Sequence, residues 1–329
     1  MSSQRNSGVI LIFGQISDPH VTAVCGAIER LGRSCCLIDT CGNNSSAFTH
    51  EVSQKVKLQL KGDKPCGSRY SAIWWRVKPR FVLPGTSALD LYDYYFVHRE
   101  WLQVIDFLGT ATKPVFSINH RENADRANNK ISQLQTAVAV GFEIPETLVS
   151  NDPDAIVAFV DAHSNDRCIY KPFTPYMPPT GLITFTTPID SPIVEANSEA
   201  VAAAPGIYQV LVKKTFELRI TIVGEDLFSV KINSNQSITT RIDWRQGQFE
   251  DIYSRYEVEE EFRKRLLSLH RKLGLFFAAY DFVVDERGRT IFLEVNPTGQ
   301  WLWLEQKLGL PISERIASAL ANPEAYGSR

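Results

Sequence analysis

Asp281, Glu294 and Asn296 lie in two apolar runs, AAYDFVVD and TIFLEVN, that are joined by a short turn. Arg287 and Gly288 suit the two central positions of a tight hairpin. That register sets Val284 opposite Ile291 and Asp281 opposite Glu294. Period-two alternation then brings Asp281, Glu294 and Asn296 to one face, with Tyr280, Phe282, Val284, Ile291, Leu293 and Val295 on the other. Opposed carboxylates on a sheet stand only about 4.5–5.5 Å apart at their β-carbons and repel. Burial adds a desolvation cost of several kcal/mol for each uncompensated ion. A divalent cation relieves both problems, and two carboxylates with an amide carbonyl are the hard oxygen donors that suit Mg²⁺. The alternative is a solvated hairpin face bearing ordinary surface acids. Pro297 and Gly299 end the strand where a metal site would have to open toward a substrate.

The elements that must hold this hairpin are legible upstream. GVILIFG (8–14), SCCLID (34–39) and SAIWWR (71–76) read as buried strands. Between the first two, Val21, Val24, Cys25, Ile28 and Leu31 recur at helical spacing, which implies a parallel α/β unit. Residues 41–68 are polar and mixed, and read as a surface insertion. Ser87–Leu108 has a helical pattern, and KPVFSIN (113–119) is a short strand. One long helix is expected over 123–141, ending at Gly141. A further helix follows Asp152 as N-cap, with Pro153 at its first position. RCIYKPF (167–173) is a strand carrying Lys171. Residues 174–206, rich in Pro, Thr, Ser and Ala, suggest a mobile hairpin or lid rather than core. The strands IYQVLVKK, FELRITIVG and LFSVKIN, an amphipathic helix over 257–274, the terminal hairpin and a last helix complete the chain.

The composition of the 329-residue chain is that of an ordinary globular protein: 44% hydrophobic, 22% charged, formal net charge −2. A nucleic-acid partner would call for a basic surplus, which is absent. No apolar run approaches the roughly 20 residues a membrane-spanning helix needs, and the N-terminus reads as a first strand rather than a signal peptide. The six cysteines form no CxxC pair and have no His at metal-ligand spacing, so reduced structural thiols in a cytoplasmic protein are expected.

With those residues in place, the hairpin resembles the magnesium site of the ATP-grasp superfamily. DFVVDERGRTIFLEVNPTGQWLWLEQKLG is similar to the microviridin-type ATP-grasp peptide ligases, the graspetide synthetases. SAIWWRVKP (71–79), NNKISQLQTAVAVGFEIPETLVSNDP (128–153), IYKPF (169–173), YQVLVKKTFELRITIVGEDLFSVKINS (208–234) and DWR (243–245) agree with that family in order and spacing. The resemblance implies a mixed α/β (α+β) protein: an ATP-grasp fold with an N-terminal parallel α/β pre-ATP-grasp domain. It divides the chain into an N-terminal unit (1–120), a central ATP-grasp subdomain with a peptide-binding hairpin (121–206) and a C-terminal subdomain with the Mg²⁺ site (207–329).

It also assigns roles. Lys130 and Lys171 would touch ATP phosphates. Gln209, Leu211, Val212 and Lys213 would form the hinge that reads the adenine edge. Arg219 and Arg245 would lie near the phosphates and the acyl group, although a structural salt bridge from Arg219 to Glu217 or Asp243 is an open alternative. Asp281, Glu294 and Asn296 would hold Mg²⁺. One departure is evident: TPYMPPTGLITF, after the second lysine, is proline-rich where many ATP-grasp enzymes carry a glycine-rich loop. The implied activity is ATP-dependent activation of Asp or Glu side chains of a ribosomal precursor peptide as acyl phosphates. Attack by a hydroxyl or an amine would then close ester or amide macrocycles. A homodimer is common among such proteins. Two alternatives stay open, an intermolecular ligase joining an amine or amino acid to a carboxylate and a non-catalytic binding module. Trp74, Trp75, Trp301 and Trp303 could line a peptide groove or pack as core.

Overall fold

The computed structural model describes residues 8–39, 47–51, 57–61, 70–77, 91–111, 116–164, 166–174, 186–234 and 252–326. The chain starts with β1 (Val9–Gly14), α1 (Pro19–Arg30), β2 (Cys35–Asp39), the hairpin β3 (Ala47–Glu51) and β4 (Lys57–Lys61), β5 (Tyr70–Trp75), α2 (Leu91–Ala111) and β6 (Phe116–Ile118). Four of these strands form a parallel sheet in the order β2-β1-β5-β6. Parallel strands buried on both faces read as unbroken apolar runs. Accordingly Ile10, Ile12 and Trp74 face one way, while Leu11, Phe13 and Trp75 face the other with Ile105 and Leu108 of α2. Trp75 stacks on Phe13 at 4.5 Å between ring centroids, and Trp74 and Trp301 meet at 6.2 Å. These three tryptophans are core residues. Part of the 41–68 insertion is the β3–β4 hairpin.

The expected helix over 123–141 is in fact two, α3 (Arg121–Ala127) and α4 (Lys130–Ala139). Asn129 breaks it: its side chain accepts the Ser132 N–H at 3.0 Å and caps a new N-terminus, a turn that asparagine favours over helix interior. Lys130 therefore stands at the first position of a helix. Next come β7 (Thr147–Ser150), α5 (Pro153–Ala162), β8 (Cys168–Lys171), β9 (Thr187–Ile189), α6 (Ser191–Ala196), α7 (Ser198–Ala203) and β10 (Gly206–Val210). They build an antiparallel sheet, β7-β10-β8-β9, with α5 and α6 on one face. The described part of 174–206 is thus regular structure, and Val194 of α6 is buried against α5; residues 175–185 lie outside the described residues.

The last sheet combines β11 (Lys214–Val223), β12 (Asp226–Ile232), β13 (Tyr253–Arg255), β14 (Phe277–Asp285) and β15 (Thr290–Asn296) in the antiparallel order β13-β12-β11-β14-β15. One of its faces, with Leu218, Ile220, Tyr280, Phe282, Phe292 and Val295, packs against α8 (Glu260–Lys272) and α4. After α9 (Leu302–Leu308), α10 (Ile312–Ala321) returns to pack on α1 and β5 of the first sheet.

The hairpin register differs from the expected one near its turn. Asp285 Oδ1 accepts the Arg287 and Arg289 N–H groups at 2.9 and 2.8 Å, which shapes a four-residue connection with Gly288 at φ 77°. Val284 therefore pairs with Thr290, and Ile291 pairs with Val283 rather than with Val284. Leu293 is then an extra residue, a bulge that restores the register before the site. Beyond it Asp281 pairs with Glu294 and Ala279 with Asn296, as expected. The apolar face consequently takes Phe292 in place of Ile291 and Leu293.

Cys36 in β2 is disulfide-bonded, whereas Cys25, Cys35 and Cys168 are not, so the expectation of reduced thiols is corrected at Cys36. Such a pair depends on which β-carbons the fold brings together, and sequence spacing does not report that. Among the described residues no helix is long and apolar enough to cross a membrane.

Candidate active site

The second face of the C-terminal sheet carries the polar groups. Arg219 of β11 is registered with Asp281 of β14, which is registered with Glu294 of β15. Asn296 follows two residues along the same face, and Glu217 and Thr221 flank Arg219 on β11. The Arg219 guanidinium donates through Nη1 to both Asp281 oxygens, at 2.8 and 2.7 Å, with both side chains buried. Arg219 thus pairs with Asp281 rather than with Glu217; Asp243 lies outside the described residues. Glu217 instead accepts from Lys214 Nζ at 2.6 Å. Burial pushes the Glu217 carboxyl above its ordinary range; Lys214 and a hydrogen bond from Ser234 oppose the shift, and the Asp281 charge adds to it.

The positive charge that two opposed acids require is therefore partly supplied by Arg219. Asp281, Glu294 and Asn296 still share one face at one sheet edge, with three side-chain oxygen-bearing groups of the type a hard divalent cation takes. That donor chemistry fits Mg²⁺. Asn296 is exposed, and its Oδ1 accepts the Thr298 N–H at 3.0 Å.

The central sheet is built on the same plan. Tyr170, Tyr208 and Cys168 face the helices, whereas Lys171, Gln209 and Thr147 share the opposite face through the pairings Ile207–Lys171, Gln209–Ile169 and Gln209–Thr147. Gln209 is buried; its Nε2 donates to Thr147 Oγ1 at 2.9 Å, while its Oε1 has no hydrogen-bond partner among the described residues. Leu211, Val212 and Lys213 form the extended link from β10 to β11, which places them between the two antiparallel sheets. Lys213 points outward and meets Asp166 at 3.1 Å.

Helix α4 ties the sheets together. Lys130 Nζ donates to the Pro172 carbonyl at 2.8 Å, next to Lys171. One turn on, the buried Gln133 exchanges two hydrogen bonds with Val295, giving from Nε2 at 2.8 Å and accepting at Oε1 at 3.0 Å. Gln133 thus clamps the strand between Glu294 and Asn296. Its position in SQLQ looks like an ordinary helical polar residue, and no pattern in the sequence singles it out. The same is true of Asn119, which accepts from the Phe276 and Phe277 N–H groups, both at 2.8 Å, and donates to the carbonyls of Phe277 and Pro297. Arg245 and the rest of DWR lie outside the described residues, as does most of the proline-rich stretch after Lys171.

No family model matches the chain, and no curated protein matches it. Solved structures do. The macrocyclase MdnC of Microcystis aeruginosa, determined with its precursor peptide MdnA, is 29% identical and superposes with a TM-score of 0.83 over 95% of this chain and 99% of its own. MdnB of the same organism is 25% identical, with a TM-score of 0.77 over 95% and 99%. A RiPP-associated ATP-grasp ligase of Chryseobacterium gregarium, in complex with ADP and a leader and core peptide, is 23% identical, with a TM-score of 0.82 over 96% and 97%. The chain has the fold of these macrocyclases and of this peptide-bound ligase, shared with them across nearly their whole length.

Proposed function

We propose that the chain activates Asp or Glu side chains of a ribosomal precursor peptide at the expense of ATP and closes them into ester or amide macrocycles. The observation that carries this reading is the Arg219–Asp281–Glu294 row on the polar face of the C-terminal sheet, with Arg219 and Asp281 buried and Glu294 half-buried. Lys130 reaches the Pro172 carbonyl, next to Lys171 at the end of β8. The two lysines would neutralise phosphate oxygens, and the 209–213 link would meet the nucleotide base. Mg²⁺ held by Asp281, Glu294 and Asn296 would supply Lewis-acid charge at the phosphates.

The carboxylate oxygen of the substrate takes the terminal phosphoryl group and ADP leaves. A Thr or Ser hydroxyl or a Lys amine then adds to the acyl carbon, loses its proton, and expels phosphate. Arg219 would stabilise negative charge on the transferring group, and Arg245 is proposed to act beside it. Preorganised charge of this kind needs no enzyme nucleophile. The division at 120 and 206 into three units, a cytoplasmic location and a possible homodimer belong to the same reading; no nucleic acid or membrane enters it. MdnC, the 29% identical relative, is a macrocyclase bound to its precursor peptide, which favours closure within one peptide over joining two molecules.

Intact-mass spectrometry of a candidate precursor incubated with the protein, ATP and Mg²⁺ tests it. Loss of one or more waters that depends on ATP is the expected result. An unchanged peptide, with ADP released only when a free amine or amino acid is added, would replace macrocyclisation by intermolecular ligation.

A further inference from the structure

The segment after the site hairpin, Pro297–Leu302, makes few backbone hydrogen bonds of its own and is gripped by side chains. Arg76, at the end of β5 in the N-terminal sheet, donates from Nη1 to the Thr298 and Gly299 carbonyls at 2.7 and 2.9 Å. The next carbonyl, Gln300, accepts from Arg219 Nη2 at 3.1 Å. The two N–H groups that follow, of Trp301 and Leu302, both point at His20 Nε2 at 3.2 Å. His20 must therefore carry its proton on Nδ1, which lies 2.7 Å from Asp18 Oδ1; Asp18 Oδ2 in turn accepts from Arg76 Nε at 3.1 Å. Trp301 is fully buried, with the Arg76 guanidinium over its ring at 4.7 Å.

Three features set this apart from ordinary packing. Arg76 is 1% exposed and its Nη2 has no hydrogen-bond partner among the described residues, an expensive way to hold a loop. Burial pulls the Arg76 guanidinium down to about 10 against the opposing pull of Asp18, so it stays charged at neutral pH. Asp18 and Arg76 also follow the carboxyl ends of β1 and β5, neighbours between which the strand order reverses. That is where an open parallel sheet offers its ligand crevice, and here the crevice holds the chain's own loop. Finally, the loop has no slack on the site side. A β-carbon at Gly299 would stand 2.4 Å from the Ala279 β-carbon and 3.0 Å from Arg219 Nη2.

We propose that Asp18, His20 and Arg76 form a positioning cluster for the ligase reaction: by fixing the Thr298–Leu302 backbone they aim the Gln300 carbonyl, and through it the Arg219 guanidinium, at the reacting groups. The cluster does not touch substrate. It makes the N-terminal unit part of the catalytic geometry. This inference rests on the role proposed above for Arg219.

The test is a double-mutant cycle of Arg76→Lys and Arg219→Lys, with ADP release measured alongside amide hydrogen exchange. In the wild-type background Arg76→Lys should lower kcat about tenfold and change KM for ATP less than about twofold. In the Arg219→Lys background the same change should cost less than about twofold, because coupled positions are not additive. Independent, multiplying losses would overturn the proposal. Exchange needs no turnover: each single variant should speed exchange of the Trp301 and Leu302 amides. Unaltered exchange there in Arg219→Lys would overturn the proposal even if no ADP were released. Should Arg76→Lys lose its cooperative melt, His20→Asn takes its place in the cycle and is read the same way. A wild-type protein without ATP turnover refutes the function; turnover that Arg76→Lys leaves untouched refutes the positioning cluster alone.

Discussion

Tyr280 and Asp281 are consecutive on β14 and point to opposite faces of one sheet, so they place two kinds of buried polar pair back to back. Tyr280 is fully buried among Phe282, Phe292 and the leucines of α8, with its hydroxyl 2.9 Å from His270 Nδ1. Asp281 is nearly as buried but charged, held by Arg219 and facing Glu294. The Tyr280 pair is neutral: burial pushes the phenol far up and the imidazole down, so neither ionises near neutrality. A sheet that only needed covering could use such neutral or apolar pairs on both faces, because a buried ion pair rarely repays its desolvation. Charge kept on one face alone marks the face where something other than the fold requires it.

The largest expected effect lies in the charged pair. Arg219→Leu leaves Asp281 buried beside Glu294 without its guanidinium and should cost about 3–5 kcal/mol of stability. Adding Asp281→Leu should restore most of that loss while leaving the enzyme inactive. Urea unfolding of the single and double variants measures both. If the double variant is as unstable as the sum of the two single changes, the pair is not coupled and the contrast between the faces fails.

The functional face was legible in the sequence because it sits in strands with a period of two: the register that pairs Asp281 with Glu294 also brings Asn296 to their face. The detail was not. The turn is set by Asp285 accepting backbone N–H groups, a local competition that Arg287-Gly288 does not display, and the Leu293 bulge then cancels the error before it reaches Glu294. The Arg219–Asp281 pairing joins residues on strands distant in sequence. Gln133, Asn119, Arg76 and His20 escaped because they act on backbone carbonyls and N–H groups that alternation leaves unmarked. The break between α3 and α4 was visible in Asn128-Asn129, yet helical periodicity runs through it.

Glu294→Gln probes the polar face with little change in volume. Removing the carboxylate charge while keeping an oxygen donor should lower ATP turnover about 10²–10³-fold, the scale of losing one group aimed at developing charge. The side chain is only half-buried, so the melting temperature should move by a degree or two at most. ADP release and thermal melting on the same preparation check both halves. Unchanged turnover would remove Glu294 from the metal site; a collapse in melting would move it to the structural side of the comparison.

The apolar face makes the opposite prediction, one of stability with pH. Burial lowers His270 to about 4, helped by the Arg271 charge and resisted by a hydrogen bond involving Phe276. In the unfolded chain the imidazole titrates at about 6.5. Between these values the unfolded chain binds the proton that the folded chain refuses, so stability rises with pH across that window and is lost as pH falls through it. At about 1.4 kcal/mol for each pH unit, the loss from pH 7 to pH 4 is about 3 kcal/mol at most. Glu217 works in the other direction over part of the same range: its raised carboxyl keeps a proton that the unfolded chain gives up above its ordinary value, so it loses stability as pH rises. The two contributions are separated by comparing wild type with His270→Gln, which deletes only the first. Unfolding midpoints of the variant should be flatter between pH 6.5 and pH 4, and parallel curves would mean that His270 is protonated in the folded protein and that this face, too, holds a charge.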